Sequence, residues 1–408
     1  MASIKVKPGT IKRFIITPLI LVVGSIRRIG MNVILLSVVS FLNDVSSEMI
    51  LPLLPVFILS LGGDEIVIGL VSGSMGFVSS TIKALFGFLS DRFGRRKPIV
   101  FSGYLSSALF KFLLSLSRVW QHVLVFTSLE RIGKGIRTAP RDAMISESIP
   151  KEKGRGFGIH RAMDTSGALL GAILAFLLIY EFDLSIREIL LLAALISFLS
   201  LIPFIWIKET YQKVRMKRAF NEMGRIDKRL KIFLVIATVF SMSNISYMFF
   251  LKRSEEIFGP KFYLVTYIVF NVFYAIFSYP SGVLSDRIGR WKVLSAGYLL
   301  FAITSMGFSF VNIGWVLIPL FSLYGISFAL FDGNQRAFVS DLSDPKIRAT
   351  ALGVFHTLIG VTSLPAGIIA GYLWRSFSYS FTFLYSGLLA MVSSILLVFY
   401  GLKAYRSN

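Results

Sequence analysis

Apolar runs of about 18 residues or more recur along the whole chain, each ended by a short polar turn. They predict helices near 31–60, 65–89, 98–117, 120–145, 156–180, 187–207, 231–251, 261–284, 293–311, 314–340, 348–373 and 379–402. Each run is long enough to cross a hydrocarbon core about 30 Å thick as a helix. The runs lack the alternation that a half-buried strand requires, and in lipid a helix satisfies every backbone amide within its own segment. The pattern therefore predicts an all-α membrane protein with twelve transmembrane helices.

Composition agrees with that pattern. Of 408 residues, 55% are hydrophobic and only 16% charged, with a mean hydropathy of +0.72. A soluble chain of this length would form about three domains and carry far more charge. The net charge of +21 changes the picture only through its distribution. If both ends and the even-to-odd loops share one side, that side holds most of the 43 Lys and Arg, whereas the other holds Arg118, Arg187, Lys252, Arg253, Lys261 and Arg375. Such asymmetry orients both termini to the cytoplasm of a cell-membrane protein and gives a face attracted to anionic lipid. Nucleic-acid binding is not expected, because no basic-aromatic module accompanies the charge. The absence of cysteine removes disulfides and thiolate metal sites. Residues 1–28 read as a cytoplasmic amphipathic segment lying on the membrane, and 208–230 as a basic cytoplasmic linker between an N-terminal bundle, 29–207, and a C-terminal one, 231–408.

The division into halves rests on a repeat. Gly87-Phe-Leu-Ser-Asp91-Arg92-Phe-Gly94-Arg95-Arg96-Lys97 returns as Gly282-Val-Leu-Ser-Asp286-Arg287-Ile-Gly289-Arg290-Trp-Lys292, with Asp91 and Asp286 195 positions apart. The same step carries Arg141 onto Arg336, Pro150 onto Pro345 and Gly158 onto Gly353. Duplicated halves of this length point to a secondary transporter. The twice-spelled loop, between the second and third spans and again between the eighth and ninth, resembles the signature of the major facilitator superfamily. That resemblance implies two pseudo-symmetric six-helix bundles and a cytoplasmic latch in which Asp91, Arg95, Asp286 and Arg290 take part. Arg141 and Arg336, kept in both halves, read as gate or structural groups.

The fourth span is the most charged: Glu130-Arg131-Ile-Gly-Lys134-Gly-Ile-Arg137-Thr-Ala-Pro-Arg141-Asp142. Buried charges in lipid must be paired or face water. Glu130, Lys134, Arg137 and Arg141 share one helical face, which predicts a stripe lining the cavity, with Arg131 beside it. Arg131-x3-Gly135 is similar to the fourth-helix motif of proton-coupled members of the superfamily, although Lys134 stands where that motif commonly has glutamine. The copied half offers Gly325, Ile326, Ala329 and Asp332 at the matching positions, so Asp332 is expected as a partner across the cavity.

Asp44 and Glu48 lie one turn apart in the first span, and such a carboxylate pair in a dry cavity can exchange protons near neutral pH. A permanent ion pair between Asp44 and the fourth-helix stripe is the competing expectation. In the fifth span, Gly158-x8-Gly167-x3-Gly171 resembles the fifth-helix motif of the drug:proton antiporter branch, with Ala172 in place of its proline. These glycines are expected to let the helix pack closely against the other half. Asp164, one turn after His160 and Arg161, reads as an internal salt bridge and a second proton-site candidate.

No phosphate-cradling loop occurs, and His122, His160 and His356 lack metal-ligand spacing, so neither an enzyme nor a cofactor or metal is expected. The expected function is alternating-access transport of a small molecule by a monomer, most simply proton-coupled export of small organic compounds. An anion carrier using Lys134, Arg137 and Arg131 is the alternative, and a non-transporting sensor or scaffold on the same fold is the third reading.

Overall fold

The computed structural model describes residues 30–93, 95–148, 153–209, 227–344 and 348–405, with the side chains at 84, 85, 87–93, 153–155, 348–350, 404 and 405 also outside the description. The expected N-terminal segment, most of the expected linker and the side chain of Asp91 fall outside these residues.

Every described element is helical: α1 (Met31–Ser60, with a 3-10 turn at Leu51–Leu53), α2 (Glu65–Phe93), α3 (Lys97–Ser115), α4 (Trp120–Ser148), α5 (Lys153–Tyr180) and α6 (Ile186–Leu199) form a first set. The second set is α7 (Lys228–Ser243), α8 (Tyr247–Ile288), α9 (Arg290–Phe310), α10 (Gly314–Asp341), α11 (Arg348–Ser376) and α12 (Tyr379–Tyr405). Two of these bounds depart from the expected spans. The seventh span is broken at Asn244–Ser246, where Ser246 caps the next helix by accepting from the Met248 amide at 3.3 Å. The remainder of that crossing then runs on into the eighth through Gly259, whose φ of +76° only glycine adopts readily and which reverses the chain before Pro260. Gly289, at φ +102°, makes the corresponding turn in the second copy of the basic loop.

Ten described stretches are long and apolar enough to cross a membrane. The 61-residue stretch Lys228–Ile288 contains two crossings, and α4 fails the apolarity requirement only because of its charges, which restores twelve.

Pairing follows one scheme in both sets. α1 packs on α5 and α6, α2 on α4, and α3 on α4 and α6; α7 packs on α11 and α12, α8 on α10, and α9 on α10 and α12. Each contact is repeated six helices later, as a pseudo-two-fold requires. Contacts between halves run chiefly through α2 with α11 and α5 with α8, a pair that the same operation exchanges.

The glycines of α5 do something other than expected. A Cβ at Gly167 would meet the Phe41 carbonyl at 2.5 Å and one at Gly171 the Val45 carbonyl at 2.4 Å, so both seat α5 on α1 of the same half, while Gly158 has open space around it. Close approach between halves belongs instead to α2 and α11, where a Cβ on Gly69 would lie 1.9 Å from the Gly367 carbonyl and one on Gly73 2.8 Å from the Leu364 Cα. The reason is geometric: a small residue permits contact with whichever helix is nearest, and α1 is the nearer neighbour of α5.

Candidate functional site

Between the halves lies a vestibule of about 600 Å³, reaching the end of the molecule that carries Asp286, Arg290 and the other basic turns. The first half contributes Arg141, His160, Arg161 and Asp164 to its wall; the second contributes Tyr274, Asp332 and Arg336. A deeper alcove of about 210 Å³ joins it at Arg161, Asp164 and Tyr274 and is lined further in by Asp44, Glu48, Lys134 and Asn271.

The opposite end is shut. Lys252 Nζ lies 3.2 Å from Glu65 Oε1, Lys261 Nζ is 2.6 Å from Asp183 Oδ1, and Arg375 pairs with Asp64. In all three pairs the acid comes from the first half and the cation from the second. The structure is thus a conformer open at the basic end only.

The alcove gathers Asp44, Glu48 and Asp164 against Lys134 and Arg161. Glu48 accepts a hydrogen bond from the Tyr267 hydroxyl of α8, a contact between halves. Asp44 and the Lys134 ammonium have neither a hydrogen bond nor an ion pair among the described residues, so the expected permanent pair of Asp44 with the fourth-helix stripe is not present in this conformer. Asp164 Oδ2 lies 3.7 Å from His160 Nε2, and its Oδ1 is buried without a hydrogen bond.

The stripe on α4 divides. Lys134 and Arg141 reach water-accessible space, with Arg141 donating to Ser40 Oγ at 3.0 Å and to Asp142. Arg137 does not. It is 2% exposed, donates to Ser107 and stacks 4.3 Å from the Tyr104 ring centroid, all on α3. A Cβ on Gly103 would meet the Arg137 Cβ at 2.7 Å, which shows how closely α3 and α4 hold that guanidinium. Glu130 is likewise buried, 3.3 Å from Arg131 Nε, beside a space of about 20 Å³ shared with Lys111. Sequence periodicity places Arg137 correctly on its helix face, but that face is shared between α3 and the cavity.

Asp332 also departs from expectation. Rather than meeting a cation of the first half, it pairs with Arg336 on its own helix at 2.6 Å and accepts from the Tyr274 hydroxyl at 2.9 Å. The basic loops are tied within their own halves: Arg290 lies 2.9 Å from Asp286 and also pairs with Asp341. In the first copy Arg96, not Arg95, is the anchored residue, paired with Glu147 while its amide donates to Glu209 at 2.9 Å; Arg95 is exposed.

Lys111, which the sequence patterns above do not single out, is a buried cation with several partners. Its ammonium donates to Ser46 Oγ at 3.0 Å, Ser47 Oγ at 2.9 Å and the Asn43 carbonyl at 3.2 Å, binding α3 to α1 deep in the first half. Tyr267, Asn271 and Tyr274 were also missed; they recur at i, i+4 and i+7 in an otherwise apolar run, a polar face that their spacing reveals. Trp374 is 7% exposed, with the Lys252 ammonium 4.9 Å from its ring centroid.

A model of the Major Facilitator Superfamily matches residues 36–269 and 232–408. The chain belongs to the major facilitator superfamily. An MFS-type transporter of Methanocaldococcus jannaschii is 50% identical over 381 residues, covering 91% of this chain and 96% of that protein. Multidrug resistance protein MdtG of Enterobacter lignolyticus is 25% identical over 390 residues, covering 90% and 91%. Among solved structures, the nucleoside transporter NupG superposes with a TM-score of 0.76 over 92% of this chain and all of that one, at 18% identity. This facilitator is therefore a multi-pass membrane transporter and not an enzyme.

Proposed function

We propose that this transporter is a proton-coupled exporter of small organic compounds, acting as a monomer in the cell membrane with its basic, open end and both termini in the cytoplasm. The observation that carries the reading is the alcove: three carboxylates, Asp44, Glu48 and Asp164, converge on one water-accessible space, and Asp44 has no fixed counter-ion there. Crowded acids in a confined, partly desolvated space bind and release protons in competition with a substrate cation or with closure of the site. The resemblance to multidrug resistance proteins supports export over import.

The anion reading is less well supported. Arg137 is held by α3, and the two cations that remain in the alcove, Lys134 and Arg161, are outnumbered by its acids. Transport itself proceeds by rocking: the α2–α11 and α5–α8 contacts act as the hinge surfaces, and the acid–cation pairs at the opposite end part as the basic turns close.

The test is proton and substrate flux in proteoliposomes carrying a trapped pH dye, against a panel of organic cations and neutral compounds. Substrate-dependent proton movement is expected for the wild type and its loss in Asp44→Asn. A pH profile of transport that is unchanged in Asp44→Asn would remove Asp44 from the coupling step.

A further inference from the structure

A second alcove, of about 170 Å³, leaves the vestibule at Asp332 and Arg336 and enters the second half between α7, α10 and α11. Its walls are unlike those of the first. Phe240, Phe328, Phe331 and Phe355 line it with apolar ring atoms, Phe328 being the most open of the four, and the polar groups that face it from α7 and α10 include two neutral amides, Asn244 and Gln335. The charges at its mouth cancel, because Asp332 and Arg336 are already paired at 2.6 Å.

Two further observations mark it as built for a ligand. Asn244 sits at the break in the seventh crossing, where the chain leaves the helix with ψ of 70° before Ser246 restarts it. Irregular backbone at membrane depth survives only where protein or a water-filled cavity satisfies it, and in transporters such breaks lie beside the bound substrate. The Asn244 side-chain amide has no hydrogen bond among the described residues, so its donors and acceptor are available. Gln335, by contrast, is 6% exposed and held in place by its bond to the Tyr298 hydroxyl at 2.8 Å, and Tyr298 is itself stacked on Phe240 with centroids 3.6 Å apart.

We infer that this alcove seats a planar heteroaromatic part of the substrate, with Asn244 and Gln335 hydrogen-bonding its polar edge beside the phenylalanine rings. The inference rests on the exporter reading and refines it: the flat ring system of an exported cation enters the second half, across the vestibule from the acids of the first alcove. Aromatic faces reward planarity, whereas amides reward a hydrogen-bonding edge, so the two together select against bulky non-planar compounds of equal charge.

The test uses purified full-length protein in lipid nanodiscs and two monovalent cations. Proflavine is flat and carries ring amines; tetraphenylphosphonium is neither flat nor a hydrogen-bond donor. Proflavine binding is followed by fluorescence anisotropy and radiolabelled tetraphenylphosphonium by equilibrium binding. Asn244→Leu is expected to weaken proflavine about tenfold, the effect of losing one well-made hydrogen bond, while tetraphenylphosphonium changes by less than about twofold. Gln335→Leu should act the same way; if losing its bond to Tyr298 prevents folding, Asn244→Leu decides alone. Unchanged proflavine affinity in Asn244→Leu, equal weakening of both probes, or no saturable proflavine binding in the wild type overturns the inference. Equilibrium binding needs no gradient, so failure of proton coupling in the flux assay leaves this result readable, and flux without preference for planar compounds would sink only the inference.

Discussion

The Tyr267 hydroxyl donates to the Glu48 carboxylate, so an acid of the first half is held by the second half at the wall of the alcove. A hydrogen bond to a charged group contributes about 1.5–3 kcal/mol, and 1.4 kcal/mol is tenfold in an equilibrium. If the bond exists only while the basic end is open, Tyr267→Phe should move the conformers toward the other state by roughly tenfold or more. The chain has no native cysteine, so Ser363→Cys gives a single reporter at the α2–α11 contact, where Ser363 Oγ now donates to the Gly73 carbonyl at 3.0 Å. Maleimide labelling from the opposite face should accelerate in Tyr267→Phe. Equal labelling rates would mean that the bond persists in both states.

The acid–cation pairs at the closed end should contribute unequally. Lys252 and Glu65 are 8% and 20% exposed, whereas Lys261 and Asp183 are 47% and 79% exposed. Exposed pairs contribute about 0–1 kcal/mol and are screened by salt; a pair taken out of water costs more to break. Glu65→Gln should therefore accelerate Ser363→Cys labelling strongly, since among the described residues Lys252 then keeps an ion pair only with Glu256 of its own helix, and Asp183→Asn should change it little. The reverse ranking would place the latch at the Asp183 loop.

Lys111 is expected to be structural. Its ammonium meets neutral oxygens of Asn43, Ser46 and Ser47 and is 2% exposed. Lys111→Met keeps the stem and strands those acceptors, at a cost of about 1–3 kcal/mol for buried polar groups left without partners. Thermal unfolding in detergent should show the loss, while the substrate affinity of the folded fraction should not change. A selective loss of affinity with unaltered unfolding would move Lys111 into the transport path.

What the sequence made legible follows from which properties are local. Hydrophobic run length is local, and each of the twelve crossings lies on one of the expected apolar runs. Charge periodicity is local too, but it fixes only the face of a helix. Glu130, Lys134, Arg137 and Arg141 share a face of α4, yet α3 takes Arg137 through Tyr104 and Ser107 and leaves Lys134 to the alcove. The break at Asn244–Ser246 falls in the polar cluster Ser241-Met-Ser243-Asn244-Ile-Ser246, but no proline or glycine announces that the helix ends there. Partner choice is the least local of all. Gly167 and Gly69 look alike in sequence, and nothing near either one tells which meets α1 and which meets a helix almost 300 positions away.

Gly69 and Gly367 are therefore where the hinge is most exposed to test. A Cβ on Gly69 would sit 1.9 Å from the Gly367 carbonyl, and one on Gly367 2.2 Å from the Gly69 carbonyl. Both obstacles are backbone, which cannot swing aside as a flexible side chain would, so Gly69→Ala must push α2 and α11 apart. Overpacking of a tight contact costs about 1–3 kcal/mol, and here the cost falls on the conformer closed at that end. Gly69→Ala should accelerate Ser363→Cys labelling from that side and slow transport, because the closed state becomes harder to reach. Gly333→Ala is the control: Gly333 lines the vestibule with nothing within 4 Å of its added Cβ, and it should leave labelling unchanged. If Gly69→Ala labels like the wild type, α2 and α11 do not close the path, and the ion pairs at Glu65 and Asp64 hold that end without them.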